Sequence, residues 1–340
     1  MTELDFITEQ PPNAAVPLRF LDGSPLGQDR VYMRNSFPTP EPSRVTGEIR
    51  LLLPGREPDI LNPDLLAAMT QVTIDMVLEC AGNGRSLMDP VPDGLPWQLG
   101  GVSPIRVTGV KLRDALGSIP REVVEIVFTG LDRGAVWPEG EINYQFSIDA
   151  NLARSEAPML VTRIGGELLG YEHGGPIRLI VPGHYAMKSV KWLSEIEGVT
   201  EPFGGHFVQR YRYLGDTDLE DGTAVGPIQV RSVIAQPEQD ARLQPGPVTV
   251  KGSAWSGEGQ ITMVEISVDD GRSWTESLLA PGASEHAPAK WRHELVLGSG
   301  RHTIIARATD SAGSTQPLRA RWNKRGYANN AAHRLEVEVG

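Results

Sequence analysis

Residues 260–274 read QITMVEISVDDGRSW. Val264, Ile266 and Val268 alternate with Glu265, Ser267 and Asp269, a period of two that predicts a strand with one apolar face. Asp270-Gly271 supplies a hairpin turn signal. Working outward, VTVKGSAW (248–255) precedes this stretch, and RHTIIARATDSAG (301–313) and HRLEVEV (333–339) follow it. Short strands at this spacing over about 100 residues predict an immunoglobulin-like sandwich. The preceding AQPEQDARLQPGP (235–247) is polar and carries three prolines, so it reads as a linker. The expected division is 1–234 and 235–340. A chain of 340 residues is long enough for two domains.

The first part mixes element types. Residues 1–30 read as irregular, with Pro11, Pro12, Pro17 and Pro25. Asn62-Pro63-Asp64 resembles a helix cap with proline in the first turn, followed by LLAAM. VTIDMVLE (72–79) reads as a strand entering Cys80. Val107–Leu116 suggests a turn into a short helix. EVVEIVFTG (122–130) and IRLIVPG (177–183) read as further strands. The predicted class is therefore α+β, a mixed domain followed by an all-β one.

The net charge of −11 shows none of the basic footprint of a duplex-binding protein. A single cysteine excludes an internal disulfide, a cysteine-held iron–sulfur cluster and a covalently attached c-type haem. No apolar run approaches the ~20 residues of a membrane helix. The first residues lack the basic and apolar regions of a leader, so the sequence as it stands predicts a cytoplasmic protein, or a periplasmic one had a signal been removed.

Cys80 lies in LECAGNGRS (78–86), where a strand gives way to a glycine-bearing loop. A thiolate is the soft donor that a redox metal takes, and Arg85 close by favours that form. Arginines recur beside glycine-rich or aromatic turns: Arg34 in RNSFPTP, Arg85, Arg178 in GGPIRLIVPG and Arg325 in WNKRGYANN. Guanidinium forks suit oxyanions and phosphate. Tyr211 and Tyr213 sit among arginines in QRYRYLG, where a phenol could donate to an oxo group. Lys188 and Lys191 could hold phosphate. The seven histidines form no HExxH pattern, and neither a GxSxG elbow nor a phosphate-binding GxxxxGK[ST] loop occurs.

Taken together, these motifs resemble the sulfite oxidase family over nearly the whole chain. LECAGNGR is similar to the family's metal-binding segment. HGGPIRLIVPG with SVKWL resembles the segment that holds the pterin and its phosphate. WSGEGQITMVEISVDDGRSW, RATDSAGSTQP and WNKRGYANN resemble its C-terminal dimerisation domain. The resemblance implies a molybdenum–molybdopterin cofactor with Cys80 as the protein ligand. It implies that Arg34, Arg85 and Arg325 bind an anion such as sulfite, with Trp97 and Tyr211 in the substrate pocket and Tyr213 as the alternative tyrosine. Asn35, Ser36, Asp132, His173, Arg178, Lys188 and Lys191 would contact the cofactor. It further implies oxygen-atom transfer to sulfite, an external electron acceptor such as a cytochrome, and a homodimer. A related enzyme reducing a sulfoxide is the alternative. Two departures stand out: Ser36 replaces a common histidine, and Val107 a common tryptophan.

Overall fold

The computed structural model describes residues 3–215 and 222–340. Its first half is built on two five-stranded sheets. In one, Val72–Glu79 pairs antiparallel with Val102–Lys111, which pairs in turn with Met159–Ile164; Glu167–Leu168 and Arg178–Ile180 both join the last. The other runs Asp59–Leu61, Ile49–Leu52, Leu193–Val199, Glu125–Val136, Gly140–Asp149, with one parallel contact, between Ile49–Leu52 and Leu193–Val199. Helices are short. Pro63–Ala68 starts as expected, with the Asn62 side chain accepting from the Leu65 N–H. The turn expected at Val107, leading into the helix VKLRDAL (110–116), is strand through Lys111, and the helix occupies only Leu112–Leu116; Val107 and Val110 are fully buried in the strand Val102–Lys111. Residues 1–30 are not wholly irregular: Asp5–Thr8 and Asn13–Ala15 form a small hairpin.

The second half is a sandwich of a four-stranded and a five-stranded sheet. Val250, Val264, Ile304, Leu335 and Val337 fill its core. The 260–274 hairpin forms as read, with Asp270 and Gly271 at φ +61° and +82°. Val268 departs from the expected inward set. It lies beyond the strand Ile261–Ser267 and is exposed.

The expected linker is structured. Arg231–Gln236 and Gly246–Trp255 pair antiparallel, and Ala241–Leu243 joins the opposite sheet beside His333–Val339. The prolines at 237 and 245 fall between these strands, where no ladder donor is needed. The boundary expected at 234/235 would cut the strand Arg231–Gln236. The pairing is close: a Cβ on Gly252 would stand 1.9 Å from the Val233 carbonyl oxygen.

Truncating Ile304, which is fully buried in the sandwich core, to alanine should cost about 2–5 kcal/mol. Urea unfolding of the Ile304→Ala variant measures this, and a loss well under 1 kcal/mol would contradict the assigned packing.

Candidate active site

The strand Val72–Glu79 delivers Cys80 to the site. Pairing continues one residue further, as the Cys80 N–H donates to the Gly101 carbonyl at 2.8 Å. The chain then turns sharply, with Asn83 N–H donating to Cys80 O at 2.9 Å and Arg85 N–H to Gly82 O at 3.1 Å. A Cβ at Gly82 would lie 2.5 Å from an Arg85 guanidinium nitrogen, so a larger residue there would push that guanidinium aside. Arg85 folds back over its own turn. Its Nε donates to Arg325 O at 2.8 Å and Nη1 to Leu95 O at 2.9 Å.

Two adjoining cavities meet at this turn, and Cys80, Arg34 and Tyr211 line both. The inner one also has Ser36, Asp132, His173, Arg178, Ser189 and Lys191 in its walls. Arg178 is buried and donates to the carbonyls of His173 (2.9 Å) and Ser189 (3.0 Å), while its Nε has no partner. Burial pulls its pKa down to about 10. His173 Nε2 lies 2.7 Å from the Gln28 carbonyl, which fixes it as the donor and leaves Nδ1 as acceptor. Burial, and then Arg178 and Lys191, lower His173 to about 4. Burial lifts Asp132 to about 6 against Lys191, and lowers Lys191 to about 7 with help from Arg178. Lys191 Nζ also reaches the Asn35 side-chain oxygen. Asn35 itself lines neither cavity. Its N–H donates to Asn13 Oδ1 at 2.8 Å, which anchors the loop that carries Arg34.

The outer cavity, of about 300 Å³, is cationic. Arg34, Arg85, Arg210, Lys324 and Arg325 line it against one carboxylate, Asp93. Arg325 Nε is buried without a partner. Tyr211 stacks 5.1 Å from Tyr327, and burial, opposed by Arg34, raises its pKa to about 12, so the phenol keeps its proton and can donate. Tyr213 lines neither cavity.

Most of the residues picked from sequence are thus brought together; besides Asn35 and the alternative Tyr213, Trp97 and Lys188 are not. Trp97 is fully buried, edge-on to Tyr32 with centroids 6.0 Å apart, and lines neither cavity. Lys188 stands beside the inner cavity, outside its wall. Val107 is sealed within its sheet, so that departure does not touch the cavities. Sequence reading missed Tyr32 and Tyr144 in the inner wall and Arg210, Lys324 and Tyr327 in the outer one. Arg210 and Tyr327 lay within motifs already singled out. Tyr32 and Tyr144 carried no signal, being ordinary strand or loop aromatics until the fold apposes them.

Residues 42–207 match the family model of an oxidoreductase molybdopterin binding domain, and residues 223–340 that of a molybdenum-cofactor oxidoreductase dimerisation domain. Chicken sulfite oxidase is 32% identical, over 96% of this chain and 74% of that protein. The chain belongs to the sulfite oxidase family of molybdopterin oxidoreductases. Rat mitochondrial sulfite oxidase is 31% identical over 98% of this chain, which spans 65% of the length of that relative. The sulfane dehydrogenase SoxCD from Paracoccus pantotrophus shares the fold, with a TM-score of 0.85 at 23% identity, covering 99% of this chain and 88% of that one. No helix among the described residues is long and apolar enough to cross a membrane.

The residues present fit the cofactor that the family binds. Cys80 offers one soft donor at the junction of the cavities. Among the described residues no group of three or more His, Cys, Asp or Glu side chains could hold a metal, which suits a metal that brings ligands of its own with the pterin. The Arg178 guanidinium has an unpartnered Nε and no carboxylate within ion-pair distance among the described residues, which suits an anionic group such as a pterin phosphate.

Burial also lowers His184 and His333 to about 4. A histidine depressed from about 6.5 binds fewer protons folded than unfolded, so its contribution is full above that value and is lost as pH falls toward 4. Asp132, raised to about 6, acts in the opposite sense between about 4 and 6 and offsets one of the three histidines. The melting temperature of cofactor-free protein should therefore fall between pH 7 and pH 5. Since His333 Nδ1 accepts from the Ile234 N–H at 2.9 Å, His333→Asn should keep an acceptor and flatten the decline. A flat wild-type profile would contradict the burial of these rings.

Proposed function

We propose that the chain oxidises sulfite to sulfate by oxygen-atom transfer, with the electrons leaving to a separate acceptor. The observation that carries this reading is the convergence of Arg34, Arg85 and Arg325 on one cavity beside Cys80. Cys80 would hold molybdenum, and Arg178, Lys191, His173 and Asp132 would face the pterin and its phosphate. When bound, that group supplies the oxygen-atom transfer and two-electron chemistry. The chain's own task is to place the substrate. The three guanidiniums would bind the sulfite oxygens and turn the sulfur lone pair inward. Arg85 is held by two backbone carbonyls, so it is oriented before substrate arrives and costs little reorganisation. The Tyr211 phenol, still protonated, would donate a hydrogen bond to a substrate or product oxygen.

The acceptor would be a small redox protein such as a cytochrome. The chain's net charge of −11 favours a basic one. The match of residues 223–340 to a dimerisation domain supports a homodimer, and twofold pairing is the commonest closed assembly.

Metal analysis by mass spectrometry, paired with sulfite-dependent dye reduction on the same sample, tests the proposal. About one molybdenum per chain with sulfite-driven reduction is the expected result. Molybdenum without sulfite activity would move the substrate to another oxyanion or a sulfoxide, and no molybdenum after expression in a pterin-making host would sink the reading. Cys80→Ser should abolish turnover. Arg325→Ala should raise KM for sulfite more than it lowers kcat, by roughly tenfold or more if a charge-assisted bond of about 1.5–3 kcal/mol is lost.

A further inference from the structure

The residue before the cysteine is a fully buried glutamate. Strand alternation points Leu78 and Cys80 into the inner cavity and Glu79 the opposite way, toward the second domain. Three side chains converge on its carboxylate. Oε1 accepts from Asn83 Nδ2 at 2.9 Å and pairs with Arg231 Nε at 3.2 Å, and Oε2 accepts from Trp255 Nε1 at 2.8 Å. Asn83 Oδ1 accepts in turn from the Gly101 N–H at 3.0 Å, across the base of the turn. Arg231 Nη2 reaches the Asn83 carbonyl at 3.4 Å. Glu79 and Asn83 belong to the segment that bears Cys80 and Arg85, whereas Arg231 and Trp255 belong to the second sandwich.

A buried ion pair is poor evidence of net stability, because apolar replacements of similar volume often do as well. It does fix geometry, since each partner is costly to leave unmatched. We propose that Glu79 is a positioning residue. Its carboxylate locks the 80–85 turn to Arg231 and Trp255 and so sets the direction in which Cys80 and Arg85 enter their cavities. The second domain thereby orients the thiol from behind as well as supplying Arg325 from the front. The inference rests on the reading of Cys80 as a metal ligand, but its decisive test does not.

Glu79→Gln strands the Arg231 charge, so the informative variant is Glu79→Gln/Arg231→Met, which removes both charges. Its melting temperature is compared with that of the parent, and the rate of Cys80 alkylation by iodoacetamide is measured on cofactor-free protein. With native-like melting, the double variant should alkylate about tenfold faster, because a thiol that is only 7% exposed is released from its fixed direction. Loaded with cofactor, it should retain molybdenum about 10- to 100-fold less tightly, as for other groups that orient metal ligands. Trp255→Phe, which deletes only the 2.8 Å bond, should give a smaller change in the same direction and serves if the double variant fails to fold. Native melting with parental alkylation in whichever variant folds overturns the proposal, leaving the network a purely structural one. Absence of molybdenum in the parent would count against the proposed function and leave the alkylation result standing.

Discussion

Arg178 is a buried guanidinium with no carboxylate beside it, and much of the inner cavity follows from that constraint. An isolated charge in a low-dielectric interior is expensive. Two backbone carbonyls take up part of the demand, and the buried Nε is left unmet. Burial first, and the Arg178 charge second, act on its two basic neighbours. His173 stays neutral, Lys191 is pressed toward its neutral form, and Asp132 is kept from ionising freely by its own burial. The same wall carries the carboxylates Asp132 and Glu172 beside Arg34, Arg178 and Lys191.

The outer cavity cannot be assigned to either domain. Arg34 and Arg85 come from the first, Lys324, Arg325 and Tyr327 from the second. Backbone contacts stitch the two together at this point: Ala328 N–H donates to Ala81 O at 2.8 Å, Asn329 Nδ2 to Gly84 O at 2.6 Å, and Arg85 Nε to Arg325 O at 2.8 Å. The loop 323–329 is thus a wall of the site as much as an edge of the sandwich. Within this single chain the second domain completes the cationic cluster, and separating the domains would leave Arg85 with only one of the two carbonyls that orient it, that of Leu95.

Local periodicity made much of this legible in the sequence. Val72–Glu79 and His333–Val339 form as read, residue for residue; in the second, alternation and burial agree throughout, whereas the first ends in four consecutive buried residues. The 235–247 segment misled because polar residues and prolines mark both linkers and the short turns between edge strands, and only the ladder partners distinguish them. In the site, side chains that announce their chemistry were found: a lone cysteine after a strand, and arginines in glycine-rich turns. Trp97 shows the limit. Its neighbourhood in sequence says nothing of whether a bulky aromatic fills a core or faces a ligand, and here it packs against Tyr32 and Gly101 with no access to either cavity.

The sign of the whole molecule and the sign of the site are opposed. A net charge of −11 repels a small anion at long range. At physiological ionic strength that repulsion is screened over about 8 Å, whereas guanidiniums in a partly enclosed wall are screened far less. An anion reaching the mouth therefore meets Arg34, Arg85, Arg210, Lys324 and Arg325, with Asp93 alone opposing them among the lining residues. The positive charge of this cavity is consequently local, set by the five side chains that the two domains bring together, against an acidic molecule as a whole.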